Sequence, residues 1–287
     1  MKLITQMLAI GLFASFTITG CHPSNNNHLG DIDSRYDSNT GIIDGTEIKT
    51  TDSLQRELGI VVILIYKDDV AESMCTGTLI SRNTIVTAAH CVYGQQPDKI
   101  RVIFDVSISS YTWLKYIYPN VQNNVRAVQS LQTHPAYLDG KSGSWGDIAM
   151  IHLQSDAPAD YQIAEPLTDT SLLTENEKLL VAGFGRNTDD AAVKDSGAGV
   201  LRQGETKVAE KKGSHLFMNQ KEGRGTCMGD SGGPIYYFDK IQNKYLYVGV
   251  ISSVSFQPDV KAVCHAQAIG EVFADHQTWI DLALLKI

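Results

Sequence analysis

Three residues in this chain of 287 are of types that could act together on a carbonyl group. Ser231 lies in TCMGDSGGPI, His90 in TIVTAAHCV and Asp147 in SWGDIAMIHL. A serine alcohol is too weakly acidic to attack a peptide carbonyl unaided. It needs a base for its proton, a carboxylate to orient that base, and backbone N–H groups aimed at the oxyanion that develops. Taken singly, each residue has a plainer explanation. Gly, Ser and Asp build tight turns, a histidine at the end of an apolar strand packs, and an aspartate at a strand end caps a turn.

The elements that must position these residues read as strands. Short apolar runs recur between Gly, Asn, Asp and Pro: LGIVVILIY, GTLI, TIVTAAH, IRVIF, DIAMIHL, KLLVAGFG and YLYVGVISS. Their length and their Val, Ile and Tyr content predict a predominantly β protein, a sandwich or barrel rather than a doubly wound fold. Helical periodicity is confined to a short stretch after His90 and a terminal segment, Asp275 to Lys286, in which Trp279, Ile280, Leu282 and Leu285 are apolar. A hydrophobic fraction of 43% allows a sizeable core. The formal charge of −8 argues against a non-specific grip on nucleic acid, which needs clustered cations.

The first residues, MKLITQMLAIGLFASFTITGC, place one basic residue before an uncharged apolar run and read as a signal segment over 1–20. Ile18-Thr19-Gly20-Cys21 resembles a bacterial lipobox, which would leave Cys21 lipid-modified; ordinary secretion or an uncleaved anchor are the alternatives. In each case the body of the protein is expected outside the cytoplasm, in the periplasm, in the cell envelope or secreted. Residues 21–41 are rich in Asn, Ser, Asp and Gly and read as a flexible linker or pro-segment. The folded domain is expected over 42–287. With Cys21 set aside, Cys75, Cys91, Cys227 and Cys264 form an even set with three permitted pairings. None shows a spacing that favours zinc, and no metal or cofactor is expected.

Taken together, TAAHC, GDIAMIHL and GDSGGP resemble the three signature segments of the chymotrypsin-like, or trypsin-fold, serine peptidases, in that family's His, Asp, Ser order. IIDGTE, CTGTLIS, THPAY and GFG are further matches, and the resemblance runs from Ile42 to the C-terminus. It implies two six-stranded antiparallel β-barrels with a C-terminal helix and a catalytic cleft between the barrels. It gives Ser231, His90 and Asp147 the roles of nucleophile, base and orienting carboxylate, and it places the oxyanion donors on the N–H groups of Gly229 and Ser231. It also implies that Asp230 pairs with a new amine at Ile42 once an activating protease has cut the chain. By the same resemblance Cys75 pairs with Cys91 and Cys227 with Cys264.

Specificity departs from trypsin proper. Gly225 stands where a floor aspartate would be, and the pocket wall, usually Ser-Trp-Gly, reads Ser252, Ser253, Val254. The resemblance therefore implies small or aliphatic residues before the scissile bond, with Glu271 the one carboxylate that could restore a basic preference. Expected partners are protein or peptide substrates, and a membrane through the Cys21 lipid before activation. The competing expectation is a non-enzymatic binding protein on the same fold.

Overall fold

The computed structural model describes residues 42–68, 70–108, 123–138, 142–188, 197–220, 225–255, 264 and 267–285. The signal segment, Cys21 and the linker expected over 1–41 lie outside the described residues. Strands β2 (Ile60–Lys67), β3 (Val70–Ser81), β4 (Thr84–Thr87), β5 (Ile100–Ile103), β6 (Val125–Thr133) and β7 (Ala149–Leu153) close an antiparallel barrel in the order β2-β3-β4-β7-β6-β5. A second barrel takes β8 (Lys178–Gly183), β9 (Arg202–Lys212), β10 (His215–Asn219), β11 (Pro234–Asp239), β12 (Lys244–Ser255) and β13 (Gln267–Val272). Its order is β9-β10-β13-β12-β11-β8, closed by β8 on β9, and the short strand β1 (Thr46–Glu47) adds to β9 from outside.

The run IVVILIY shows why the barrels lie against each other. Side chains alternate faces along a strand, so Val61, Ile63 and Ile65 point into the first barrel, against Ile85, Val102 and Ile151. Ile60, Val62 and Leu64 point the other way and pack with Phe184, Tyr236 and Tyr247 of the second barrel. Both faces are buried, and the strand therefore reads as a continuous apolar run without alternation. Each such side chain contributes roughly 1.5–3 kcal/mol by burial. A charge at Val62 would face the neighbouring barrel unpaired.

The first and last described elements cross over this wall. β1 joins the second barrel, while the helix Gln277–Leu284 returns to the first, where Gln132 Nε2 donates to Ala283 O at 3.5 Å. The helix is shorter than its apolar content suggests, because Phe273–His276 form a 3-10 turn. Ile280 and Ala283 are buried, whereas Leu282 and Leu285 face solvent; only one stripe of so short a helix can meet the barrels. Among the described residues no helix is long and apolar enough to cross a membrane.

Candidate active site

Register brings His90 and Asp147 together. β4 pairs antiparallel with β7 so that Thr87 lies opposite Ala149, which sets the turn after one strand beside the start of the other. His90 sits in the single helical turn Ala89–Val92, and Asp147 lies two residues before β7. His90 Nδ1 is 2.8 Å from Asp147 Oδ2, and the His90 backbone N–H donates to Oδ1 at 2.8 Å. Ser252 Oγ donates to Oδ2 at 2.5 Å, and Gly143 N–H approaches it at 3.4 Å. Asp147 is fully shielded, and this set of donors is what makes a buried carboxylate tolerable. In the tautomer that gives its Nδ1–H to Asp147, His90 would present the Nε2 lone pair as a proton acceptor.

Ser231 reaches the same place from the second barrel. Its carbonyl accepts from Thr76 N–H at 2.8 Å, while Gly232 N–H donates to Ile251 O at 2.6 Å, so each barrel grips one side of the loop. The Cys91 sulfur lies 3.8 Å from His90 Nε2 and 3.8 Å from Ser231 O. No hydrogen bond joins Ser231 Oγ to His90 among the described residues. Gly229 and Gly232 have φ of +96° and +78°, and a Cβ at Gly229 would lie 2.9 Å from Gly185 Cα.

Thr76 has a part that the sequence did not suggest. Its hydroxyl donates to Gly229 O at 3.1 Å and accepts from Phe184 N–H at 3.1 Å, which ties the first barrel to the loop bearing Gly229. A threonine in CTGTLIS reads as an ordinary strand residue, and no local signal marks it.

Asp230 is wholly buried, accepting from Gly185 N–H and Cys227 N–H at 2.8 Å each. The GFG motif now has a physical reason: a Cβ on Gly185 would lie 2.6 Å from the Asp230 carboxyl carbon, and one on Gly183 would collide with Oδ1. Burial pushes the Asp230 carboxyl up to about 7, against the two amide hydrogen bonds and the nearby Arg202 charge, which pull it down. Ile42 is buried among Leu167, Val181 and Leu216, and Ile43 bridges to Gly225 and packs against Cys227 and Cys264. Ile42 has φ of 37°, a strained conformation for a β-branched residue.

Both disulfides are formed, Cys75–Cys91 with an S–S distance of 2.00 Å and Cys227–Cys264 with 2.03 Å. Cys75, His90 and Cys91 cluster closely enough to suggest a metal site, but metal binding needs thiolates, and the disulfide consumes both. The expected pocket residues are dispersed in role. Gly225 is backed by Gln220, whose Oε1 accepts from Thr226 N–H at 2.7 Å and whose Nε2 donates to Cys264 O at 2.7 Å. Val254 packs beside Cys227–Cys264, while the Ser252 hydroxyl is committed to Asp147.

Glu271 is not the free pocket carboxylate that the sequence left open. Its oxygens are taken by Gly146 N–H at 3.0 Å and His276 Nε2 at 2.7 Å. His215 Nε2 stands 2.9 Å from the same carboxylate without the alignment of a directed hydrogen bond. Burial would raise the Glu271 carboxyl, but contacts from His215, His276 and Ser214, with the His276 charge, hold it down to about 2.

The Trypsin family model matches residues 48–273 of this chain. CLIP domain-containing serine protease B9 of Anopheles gambiae is 30% identical over 200 residues, which is 62% of this chain and 48% of the relative. Phenoloxidase-activating factor 3 of Holotrichia diomphalia is 27% identical over 234 residues, 72% of this chain and 62% of the relative. Chymotrypsin-like elastase family member 1 of Rattus norvegicus is 26% identical over 192 residues, 63% and 68%. The chain thus spans about half the length of the first relative and less than two thirds of the second.

Proposed function

The chain belongs to the trypsin family, and from that premise we propose that it is a serine endopeptidase using Ser231, His90 and Asp147. The observation that carries this reading is the His90–Asp147 pair, with the Cys91 sulfur touching both His90 and the Ser231 carbonyl. His90 takes the Ser231 proton as Oγ attacks the peptide carbonyl, and it returns that proton to the leaving amine. Asp147 holds the ring and stabilises the imidazolium, and the N–H groups of Gly229 and Ser231 receive the oxyanion. Water then releases the acyl-enzyme by the same steps.

Activation is part of the proposal. A cut between Gly41 and Ile42 frees an ammonium on a residue already buried in the second barrel, next to Ile43, which packs against the Cys227 whose N–H donates to Asp230. It also removes the carbonyl that defines φ of Ile42, and with it the strain there. Residues 22–41 contain no cysteine to keep the pieces joined. If Cys21 carries a lipid, as the lipobox-like residues suggest, activation also releases the enzyme from the membrane; the relatives above come from insects and the rat, and support for the lipid rests on that motif alone. The signal segment and the two disulfides support export. Gly225 and Val254 support a preference for small or aliphatic residues before the cut bond.

The test is labelling of protein beginning at Ile42 with a fluorophosphonate, followed by peptide-library cleavage. Adduct formation at Ser231, absent in Ser231→Ala, is expected. An unlabelled but folded protein that binds a peptide partner would instead make it a binding protein on the same fold.

A further inference from the structure

The loop that carries Asp147 belongs to the first barrel, yet it is fastened from the second. Glu271, next to last in β13, is fully buried opposite His215 of β10. Its carboxylate accepts from the backbone N–H of Gly146, the residue before Asp147, at 3.0 Å. The ring of His215 stacks on Trp145, one residue earlier, at 3.8 Å between centroids with 6° between planes. His276 fixes the other carboxylate oxygen at 2.7 Å. On the opposite side Gly146, at φ +74°, is hemmed in by His134, whose Nδ1 would lie 2.7 Å from a Cβ there. Three consecutive residues are thus held in sequence: Trp145 by a ring, Gly146 by its amide, and Asp147 by its own donors.

We propose that Glu271 is a positioning residue for catalysis, a carboxylate of the second barrel that fixes the Gly146–Asp147 backbone so that Asp147 meets both Nδ1 and the N–H of His90. This rests on the peptidase reading. The geometry gives it a reason beyond general stability. Asp147 must satisfy two bonds to one histidine at 2.8 Å each, and a small shift of Gly146 would lengthen one of them. A buried carboxylate with two histidine partners is a stiff tether, because each oxygen has its own directional or ionic contact. Two other placements of an acceptor would leave the loop free: a solvated side chain, whose bond water could replace, or a neutral amide, which would offer an N–H to one of its present donors.

The experiment uses the full chain cut after Gly41, with Glu271→Gln and Glu271→Ala each made in the parent and in Asp147→Ala. Hydrolysis of a chromogenic peptide gives kcat and KM, fluorophosphonate labelling gives a second rate, and thermal melting gives stability. In the parent background Glu271→Ala is expected to lower kcat by about 10–100-fold with KM within about twofold, the scale of loss for a misplaced catalytic group. In the Asp147→Ala background the same change should alter residual kcat by less than about threefold, while the loss of Tm is alike in both backgrounds. If Glu271→Ala does not fold, Glu271→Gln carries the same comparison with an expected kcat loss of about 3–10-fold. An equal kcat loss in both backgrounds overturns the proposal, as does an unchanged kcat in a folded variant. An active parent with either result leaves the peptidase reading intact. A parent inert to both peptide and phosphonate overturns that reading, and this proposal with it.

Discussion

Asp230 and Glu271 are both carboxylates with no exposed surface, and the protein drives them in opposite directions, Asp230 up to about 7 and Glu271 down to about 2. Burial disfavours the charge on each. The difference lies in their partners. Glu271 has two histidine rings and a backbone amide within 3.0 Å. Asp230 has two amides, and the buried Arg202, whose charge acts on it, gives its guanidinium to the carbonyls of Gly197 and Val200. Glu271, behind the Asp147 loop, is thus matched by ring and amide partners, whereas Asp230, beside Ser231, is held by backbone amides. On the proposed activation a new amine at Ile42 would supply a cation there, and the second barrel would then be the half where activity is switched.

The largest expected effect comes from breaking either half outright. Ser231→Ala and His90→Ala should each lower kcat by a factor on the order of 10⁵ or more, and the double variant should fall no further, because the groups act as one unit. Steady-state rates on the cut protein test this. Additive losses, or residual activity within tenfold of the parent, would show that the two barrels do not build a single site.

Next in size is the switch. Cutting after Gly41 should raise kcat by about 10²–10³-fold, the scale of one oxyanion donor, and Asp230→Asn should abolish the gain. Amino-terminal sequencing of the active species, alongside rates before and after the cut, tests it. An uncut chain already as active as the cut one would mean that Asp230 needs no amine.

The two carboxylates also differ in sign when stability is followed against pH. For uncut protein the Asp230 carboxyl is raised, so the folded state holds its proton more tightly than the unfolded state does. Its contribution should fall by a few kcal/mol as pH rises from about 4 to about 7, and Asp230→Asn should remove that slope. Glu271 is depressed, so its contribution is present above about 4.5 and is lost as pH falls towards about 2; Glu271→Gln should flatten that window. Denaturant unfolding across both ranges checks each sign separately. A slope of the same sign at both sites would contradict the partner argument.

These contrasts also mark what the residues disclose by themselves. The strand-length apolar runs carried the β architecture because strand chemistry is local, whereas His90, Asp147 and Ser231 stood out through the resemblance of their segments to a family's signatures. The continuous run of β2 did not disclose that its two faces serve two cores, since both are apolar. Thr76 and Glu271 were opaque for a different reason. Their partners lie 153 and 125 residues away, at Gly229 and Gly146, and a buried polar side chain acquires its part only from what the fold sets against it. GFG stood out as a match, but that both glycines make room for the Asp230 carboxylate emerges only once the loop is seen resting on them.

The smallest predicted effect concerns substrate choice, and it tests whether the second barrel controls selectivity independently of its switch. Val254 packs against Ile43, Cys227 and Cys264, in the same apolar cluster that anchors the segment after the proposed cut. If its side chain also narrows the primary pocket, Val254→Gly should raise kcat/KM for substrates with Phe or Leu before the scissile bond by about tenfold over Ala, within the 1–3 kcal/mol that a methylene-sized change in an apolar pocket is worth. The Ala substrate should keep a kcat close to that of the parent, since neither Ser231 nor His90 is touched. Competitive cleavage of a peptide mixture separates this from a folding defect, because a loosened Ile43 segment would depress every substrate alike. A uniform loss would therefore assign Val254 to the activation half of the barrel, and a profile turning to Arg or Lys would remove Gly225 as the reason for an aliphatic preference.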